Sequence, residues 1–106
     1  MRITLKYESG DTKEVWGHRV LKNTFPELEL YVHRNWIHGK KKDGFAISTR
    51  DGIGGLAFGY TCVYDTVVAV RTRIEARGVK YCKKGEKRAI RRWKRYANSR
   101  GTQYNT

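Results

Sequence analysis

The spacing of apolar residues changes once along this chain, and the change divides it into strands followed by helices. Up to residue 60 the apolar residues mostly alternate with polar ones, which is the two-residue period of half-buried β-strands. From Val63 onward they recur three or four residues apart, as on one face of an amphipathic helix. Strands followed by helices predict an α+β fold, a two-layer sandwich in which one amphipathic helix covers an antiparallel β-meander.

About five strands are predicted before the first helix. Their alternating residues lie in the ranges 3–7, 15–17, 28–33, 45–49 and 56–60. The turns are assigned to "ESGDT" and "RDGIGG", and "HGKKKDG" (38–44) is interpreted as a polar loop. In the strand 28–33 the alternation predicts one wet face, which carries Glu29, Tyr31 and His33.

Two helices are predicted in the C-terminal part. The first has an apolar stripe with the i, i+4, i+7, i+11 spacing, formed by Val63, Val67, Val70 and Ile74. Thr61 is its expected N-cap and Gly78 its expected end. The segment "VKYC" (79–82) is predicted as a short extended link.

The second predicted helix, from Gly85 to Gly101, is strongly basic. Its apolar residues form a narrow seam at helical spacing, made of Ala89, Ile90, Trp93, Tyr96 and Ala97. The predicted organisation is a single domain, with an α+β body at 1–82 and a basic C-terminal helix and tail at 83–106.

Charge is distributed very unevenly along the chain. The formal net charge is +13 in total. Residues 1–70 contain ten Lys/Arg and eight Asp/Glu, and residues 71–106 contain thirteen Lys/Arg and two Asp/Glu. A nearly neutral body is thus followed by a segment with a net charge of +11, which indicates a polyanionic partner, since cations on a phosphate backbone release condensed counterions.

The predicted nucleic-acid contacts fall into three groups along the chain. They are Arg71, Arg73 and Arg77 on the first helix; Lys80, Lys83, Lys84, Lys87, Arg88, Arg91, Arg92, Trp93, Lys94, Arg95, Tyr96 and Arg100 in the basic segment; and Lys40, Lys41 and Lys42 in the polar loop. Trp93 and Tyr96 either stack on bases or anchor the helix on the body, and the loop lysines lie either beside the basic helix or on the far side.

RNA is favoured over DNA as the partner, either free or within a ribonucleoprotein. Arginine-rich segments with aromatic residues commonly become ordered on RNA. The spacing of a helix-turn-helix, a zinc finger or an RNP motif is not found in the sequence. A solvated charged helix with its seam on the sheet is the structural alternative, and a membrane surface or an acidic protein is a further alternative partner. The sequence gives no signal for an oligomeric state.

A non-enzymatic protein without metal or cofactor is predicted. Cys62 and Cys82 lack the close pairing of structural zinc sites and are expected to be free, buried thiols. The alternative is a metal-independent ribonuclease in which His18, His33 and His38, with lysine and tyrosine residues, move the protons.

The stretch from Phe45 to Gly78 resembles the ββα units of small phage and mobile-element proteins. This resemblance covers about a third of the chain and includes no catalytic motif. The size, the charge and the single-domain organisation of the chain suit an accessory protein of a phage or mobile element. The alternative is an anti-CRISPR type inhibitor of a host ribonucleoprotein nuclease, which acts on a guide RNA or nucleic-acid channel. The sequence has no apolar run of about 18 residues and no signal-peptide pattern, so a cytoplasmic location without membrane attachment is expected.

Overall fold

A computed structural model of the protein describes residues 1–7, 10–37, 40–50, 57–60 and 62–104. Within these ranges the chain forms β1 (Arg2–Lys6), β2 (Thr12–Trp16), β3 (His18–Val20), β4 (Leu30–Ile37), β5 (Lys40–Thr49), β6 (Ala57–Tyr60), α1 (Val63–Arg77) and α2 (Val79–Tyr104). All the strand pairs are antiparallel and sequential, which confirms the α+β meander.

The strands form two sheets, a β1–β2 hairpin and a four-stranded sheet in the order β3-β4-β5-β6. One face of the larger sheet packs against α1. Leu30 and Ile47 on this face form the main core with Val70 and Ile74 of the helix, and all four have at most 1% of their surface exposed. Burial of these branched side chains is the main stabilisation of the contact between helix and sheet.

The opposite face of the larger sheet is also buried, contrary to the predicted wet face of the strand 28–33. Tyr31 packs there with Ile3, Leu5 and Val15 of the β1–β2 hairpin, and His33 is buried on the same face. The hairpin therefore adds a third layer to the predicted two-layer sandwich. The polar groups of Tyr31 and His33 tolerate burial because they form hydrogen bonds there.

The lysines of the predicted polar loop belong to a strand instead. Lys40 and Lys41 pair with Ile37 and Trp36 across the β4–β5 ladder. A bulge in this ladder and the positive φ of Gly44 (89°) let the register shift between this end and the rest of β5. The ladder extends into the segment predicted as a loop because β4 is eight residues long and supplies backbone hydrogen-bond partners for Lys40 and Lys41.

The first helix has a different N-terminus from the predicted one. Cys62 is the N-cap, and its Sγ accepts a hydrogen bond from the backbone N–H of Asp65 at 3.5 Å. Thr61, the predicted cap, lies outside the described residues. The predicted stripe holds for Val67, Val70 and Ile74, whereas Val63 is exposed. Thr66 is buried as well, and its Oγ1 donates to the carbonyl of Cys62 at 2.8 Å.

Gly78 ends α1 as predicted and separates it from α2. Its φ is 90°, and its N–H donates to the carbonyl of Ile74 at 2.7 Å. A non-glycine residue would be strained in this conformation. The two helices therefore meet at a single residue.

The predicted extended link at 79–82 is helical and forms the first turn of α2. The N–H of Cys82 donates to the carbonyl of Gly78 at 3.2 Å, and Val79 and Cys82 pack against the main core. The half-buried residues of α2 then follow at helical spacing, namely Val79, Cys82, Glu86, Ala89, Ile90 and Trp93. We call this row the seam. It includes the predicted Ala89, Ile90 and Trp93, while the side chains of Tyr96 and Ala97 lie outside the described residues.

Candidate nucleic-acid interface

The outer side of α2 carries a dense set of exposed cations. Between residues 80 and 95 they are Lys80, Lys83, Lys84, Lys87, Arg88, Arg91, Arg92, Lys94 and Arg95, and all nine are exposed. At 3.6 residues per turn they cover about half of the helix circumference, opposite the seam. Within the described part of the chain, none of the nine forms a salt bridge.

The seam determines which side of α2 faces outward. Trp93 is half-buried, and the Nζ of Lys6 on β1 lies 5.7 Å from the centroid of its ring. The indole Nε1 of Trp93 is buried without a hydrogen-bond partner among the described residues. Trp93 thus contacts the body at Lys6, and its role toward bases stays a prediction. The side chains of Tyr96 and Arg100 are not described.

The three arginines predicted on α1 separate into two groups. Arg73 and Arg77 line a cleft between α1 and α2. Arg71 lies elsewhere on the helix, where its Nε donates to Oε1 of Glu75 at 3.0 Å. Arg73 and Arg77 thus lie beside the basic helix, and the charge of Arg71 is partly neutralised.

The cleft between the two helices has an apolar floor and continues along α2. It encloses about 130 Å³ and is lined by Leu28, Leu30, Thr49, Arg73, Arg77, Tyr81, Cys82, Gly85, Glu86 and Ala89. A shallower depression of about 220 Å³ follows on the flank of α2, lined by Tyr81, Gly85, Arg88, Ala89 and Arg92. Because the two share three residues, we treat them as one surface and call it the α1–α2 groove.

The groove residues that were not among the predicted contacts include Tyr81 and Gly85. Tyr81 has 55% of its surface exposed at the groove. Gly85 lies inside α2, and a Cβ built on it would meet no atom within 4 Å. An extended link at 79–82 would separate Tyr81 from Gly85, whereas in the observed helix α2 the two residues lie one turn apart. The i, i+3, i+11 spacing of the apolar residues Val79, Cys82 and Ile90 was the signal for a longer helix.

The three lysines of β5 lie near the part of the body that Trp93 contacts. Lys6, which contacts the Trp93 ring, is followed by Tyr7, whose hydroxyl donates to the carbonyl of Trp36 at 3.2 Å. Trp36 in turn lies opposite Lys41 in the ladder. Lys40, Lys41 and Lys42 are all exposed there. Contacts through Lys6, Tyr7 and Trp36 thus connect these three lysines to α2.

The histidines of the alternative ribonuclease site do not form one cluster in the described chain. His33 is buried; its Nδ1 donates to the carbonyl of Arg34 at 2.6 Å, and its Nε2 accepts from the hydroxyl of Ser48 at 2.8 Å. Burial lowers the pKa of His33, partly opposed by the Arg34 hydrogen bond. His18 is exposed and pairs with Val32, so alternation places it on the other face of the sheet. His38 lies outside the described residues.

Both cysteines are free, but only one is partly buried. Cys62 is exposed at the start of α1, contrary to the expected buried thiol. Burial raises the pKa of the half-buried Cys82, and the positive charge of Arg77 opposes this. Within the described ranges, no three His, Cys, Asp or Glu side chains lie close enough together to hold a metal ion.

Comparison with known proteins gives no relative for this chain. The sequence matches no protein-family model, and no curated protein or solved structure is significantly similar to it. Neither helix, over the residues that the structure describes, combines the length and the apolar composition needed to cross a bilayer.

Proposed function

We propose that the protein binds RNA without catalysis and that the outer side of α2 is its main contact with the phosphate backbone. The observation that carries this proposal is the set of nine exposed cations on α2, which lack salt-bridge partners among the described residues. Arg73 and Arg77 on the opposite side of the groove extend the positive surface onto α1.

The charge arrangement on α2 is costly unless an anion is bound. Six pairs of like charges lie four residues apart, namely 80–84, 83–87, 84–88, 87–91, 88–92 and 91–95. Each such pair opposes the helix by roughly 0.2–0.5 kcal/mol, or about 1–3 kcal/mol in all. The packed seam offsets this cost in the free protein. A phosphate backbone along the outer side would remove it, because each phosphate replaces a repulsion with an attraction.

RNA is proposed over DNA because of what lies beside the cations. The α1–α2 groove has an apolar floor and an exposed aromatic ring at Tyr81. Such a surface suits unstacked bases, which RNA presents in loops, bulges and single strands. The same observation supports binding rather than cleavage, since no histidine is among the described residues that line the groove. The proposed location of this activity is the cytoplasm.

The first test is the salt dependence of binding to a labelled RNA, measured by fluorescence anisotropy. If six to eight phosphates are neutralised, log K against log salt should have a slope of about −4 to −7. Binding that is unaffected by salt would refute the proposal. The same RNA should remain intact on a denaturing gel, and cleavage would contradict the non-enzymatic role.

The second test separates the position of the charge from its amount. The variant R91E/R95E reverses two exposed α2 cations, and the control R2E/K22E reverses two exposed cations that lie outside α2 and outside the groove lining. Each lowers the net charge by four. We expect R91E/R95E to bind much more weakly, with a salt slope about two less steep, and the control to stay close to wild type. Equal losses in the two variants would show that only overall charge matters.

A further inference from the structure

The α1–α2 groove combines an apolar floor, an exposed aromatic ring and arginines at its edges. We propose that it is a pocket for one unpaired base of the bound RNA, which stacks on Tyr81 and lies over Gly85. The phosphates on either side of this base would contact Arg77 on α1 and Arg88 and Arg92 on α2. This inference rests on the proposed function and adds a preference for unpaired nucleotides to it.

The size of the cleft fits a single ring system. Its volume is about 130 Å³, and an apolar protein cavity of about 150 Å³ is known to hold a benzene ring. Leu28, Leu30 and Ala89 provide an apolar lining against which the face of a base can lie. Since this cleft also opens onto the depression along α2, a base can enter it while its sugar and phosphates remain outside.

The packing of the protein does not explain why position 85 is glycine. Glycine inside a helix is less stable than alanine, yet a Cβ at this position would meet nothing within 4 Å. Positions 81 and 85 are neighbours on the helix surface. A larger side chain at 85 would therefore project over the part of the groove beside Tyr81, and glycine leaves this space open.

The charges around the groove separate the place for a base from the place for phosphate. Arg77 lies on the α1 side, and Arg88 and Arg92 lie one turn apart on the exposed flank of α2. Glu86 is the acidic residue of the cleft lining. Its carboxylate can accept a hydrogen bond from a base N–H, while the exposed guanidinium groups of Arg77, Arg88 and Arg92 attract phosphates.

The test uses three RNA hairpins with one stem sequence: fully paired, with a single bulged uridine, whose base is a single ring, and with an abasic bulge at the same position. The abasic hairpin has the same backbone interruption without the base. Anisotropy at a fixed salt concentration of about 0.15 M should show the uridine bulge binding about tenfold more tightly than the abasic bulge, as expected for one stacked base. Gly85→Leu and Tyr81→Ala should each abolish this ratio. Gly85→Ala and Tyr81→Phe, the matched controls, should retain it.

The fully paired hairpin distinguishes this inference from the proposed function. If wild type binds all three hairpins equally with a steep salt dependence, the base pocket is refuted and the RNA-binding function stands. If the tenfold ratio survives in Gly85→Leu or in Tyr81→Ala, the base lies elsewhere and the inference is wrong. If wild type binds none of the hairpins, both proposals fail. Circular dichroism checks that each variant retains its helices, and Tyr81→Ala decides the matter if Gly85→Leu does not fold.

Discussion

His33 is a buried side chain whose charge state is coupled to folding. Both ring nitrogens have hydrogen-bond partners suited to the neutral ring, and burial lowers the pKa of His33 below its ordinary value of 6.5. Below pH 6.5 the unfolded chain takes up a proton at this residue that the folded protein does not. The free energy of unfolding must therefore decrease as the pH falls, until the pKa of the folded state is reached.

We predict that His33 makes the protein less stable at pH 5 than at pH 7. The contribution is at most about 1.4 kcal/mol for each pH unit below 6.5. Urea denaturation at the two pH values measures it. In His33→Gln, whose amide can donate to Arg34 and accept from Ser48, the difference between the two pH values should shrink. An unchanged difference would assign the pH dependence to other groups.

The two helices contribute unequally to the core. Ile74 on α1 has 1% of its surface exposed, whereas Ile90 on α2 is only half-buried in the seam. We predict that Ile74→Ala costs about 2–5 kcal/mol, because it removes buried methyl groups and leaves a cavity. Ile90→Ala should cost about 1 kcal/mol, roughly half of the full burial term and without a cavity.

Chemical denaturation of both isoleucine variants measures these costs. Val68→Ala, at an exposed position on α1, is the control and should change stability by less than about 0.5 kcal/mol. If Ile90→Ala proved as destabilising as Ile74→Ala, α2 would be a core element on a par with α1.

At the scale of the whole molecule, the buried clusters lie almost entirely before α2. The fully buried core residues are all contained in residues 1–74, and α2 adds only half-buried side chains over the described residues. Truncation after Cys82 should therefore leave a folded body that is less stable by about 2–3 kcal/mol, since the contacts of Ala89, Ile90 and Trp93 are lost. RNA binding should be lost with the basic residues.

Thermal melting followed by circular dichroism, together with anisotropy, tests this truncation. A fragment 1–82 that does not fold would contradict the predicted boundary, which falls inside α2. A folded fragment that keeps full affinity would contradict the role assigned to α2.

Local patterns in the sequence were sufficient to predict the strands and helices whose partners are close along the chain. The alternation at Ile3 and Leu5, the spacing of Val70 and Ile74, and the end of α1 at Gly78 are confirmed, because period and capping are local properties. Burial of Tyr31 and His33 was not predictable in this way. It depends on the β1–β2 hairpin, which folds onto the sheet from more than ten residues away.

The candidate site shows the same division between local and non-local information. The positive charge of α2 follows from the run of Lys and Arg in the sequence, and the apolar seam around Ile90 follows from its helical spacing. The groove does not, because it requires two helices to meet at Gly78 and to enclose Leu28 and Leu30 from a distant loop and strand. Tyr81 was missed for this reason, since only a helix through 79–82 brings it to the groove.

The uneven distribution of charge also determines how a polyanion would first meet this protein. Residues 1–70 have a formal net charge of only +2, while α2 presents nine cations on one side. At physiological ionic strength a charge is felt over roughly 8 Å, so an approaching phosphate chain is attracted most strongly by α2 and less by the smaller group of exposed lysines on β5. Collisions are thereby oriented before any contact forms, and salt would act mainly on the rate of association. The lifetime of the complex would instead depend on the groove.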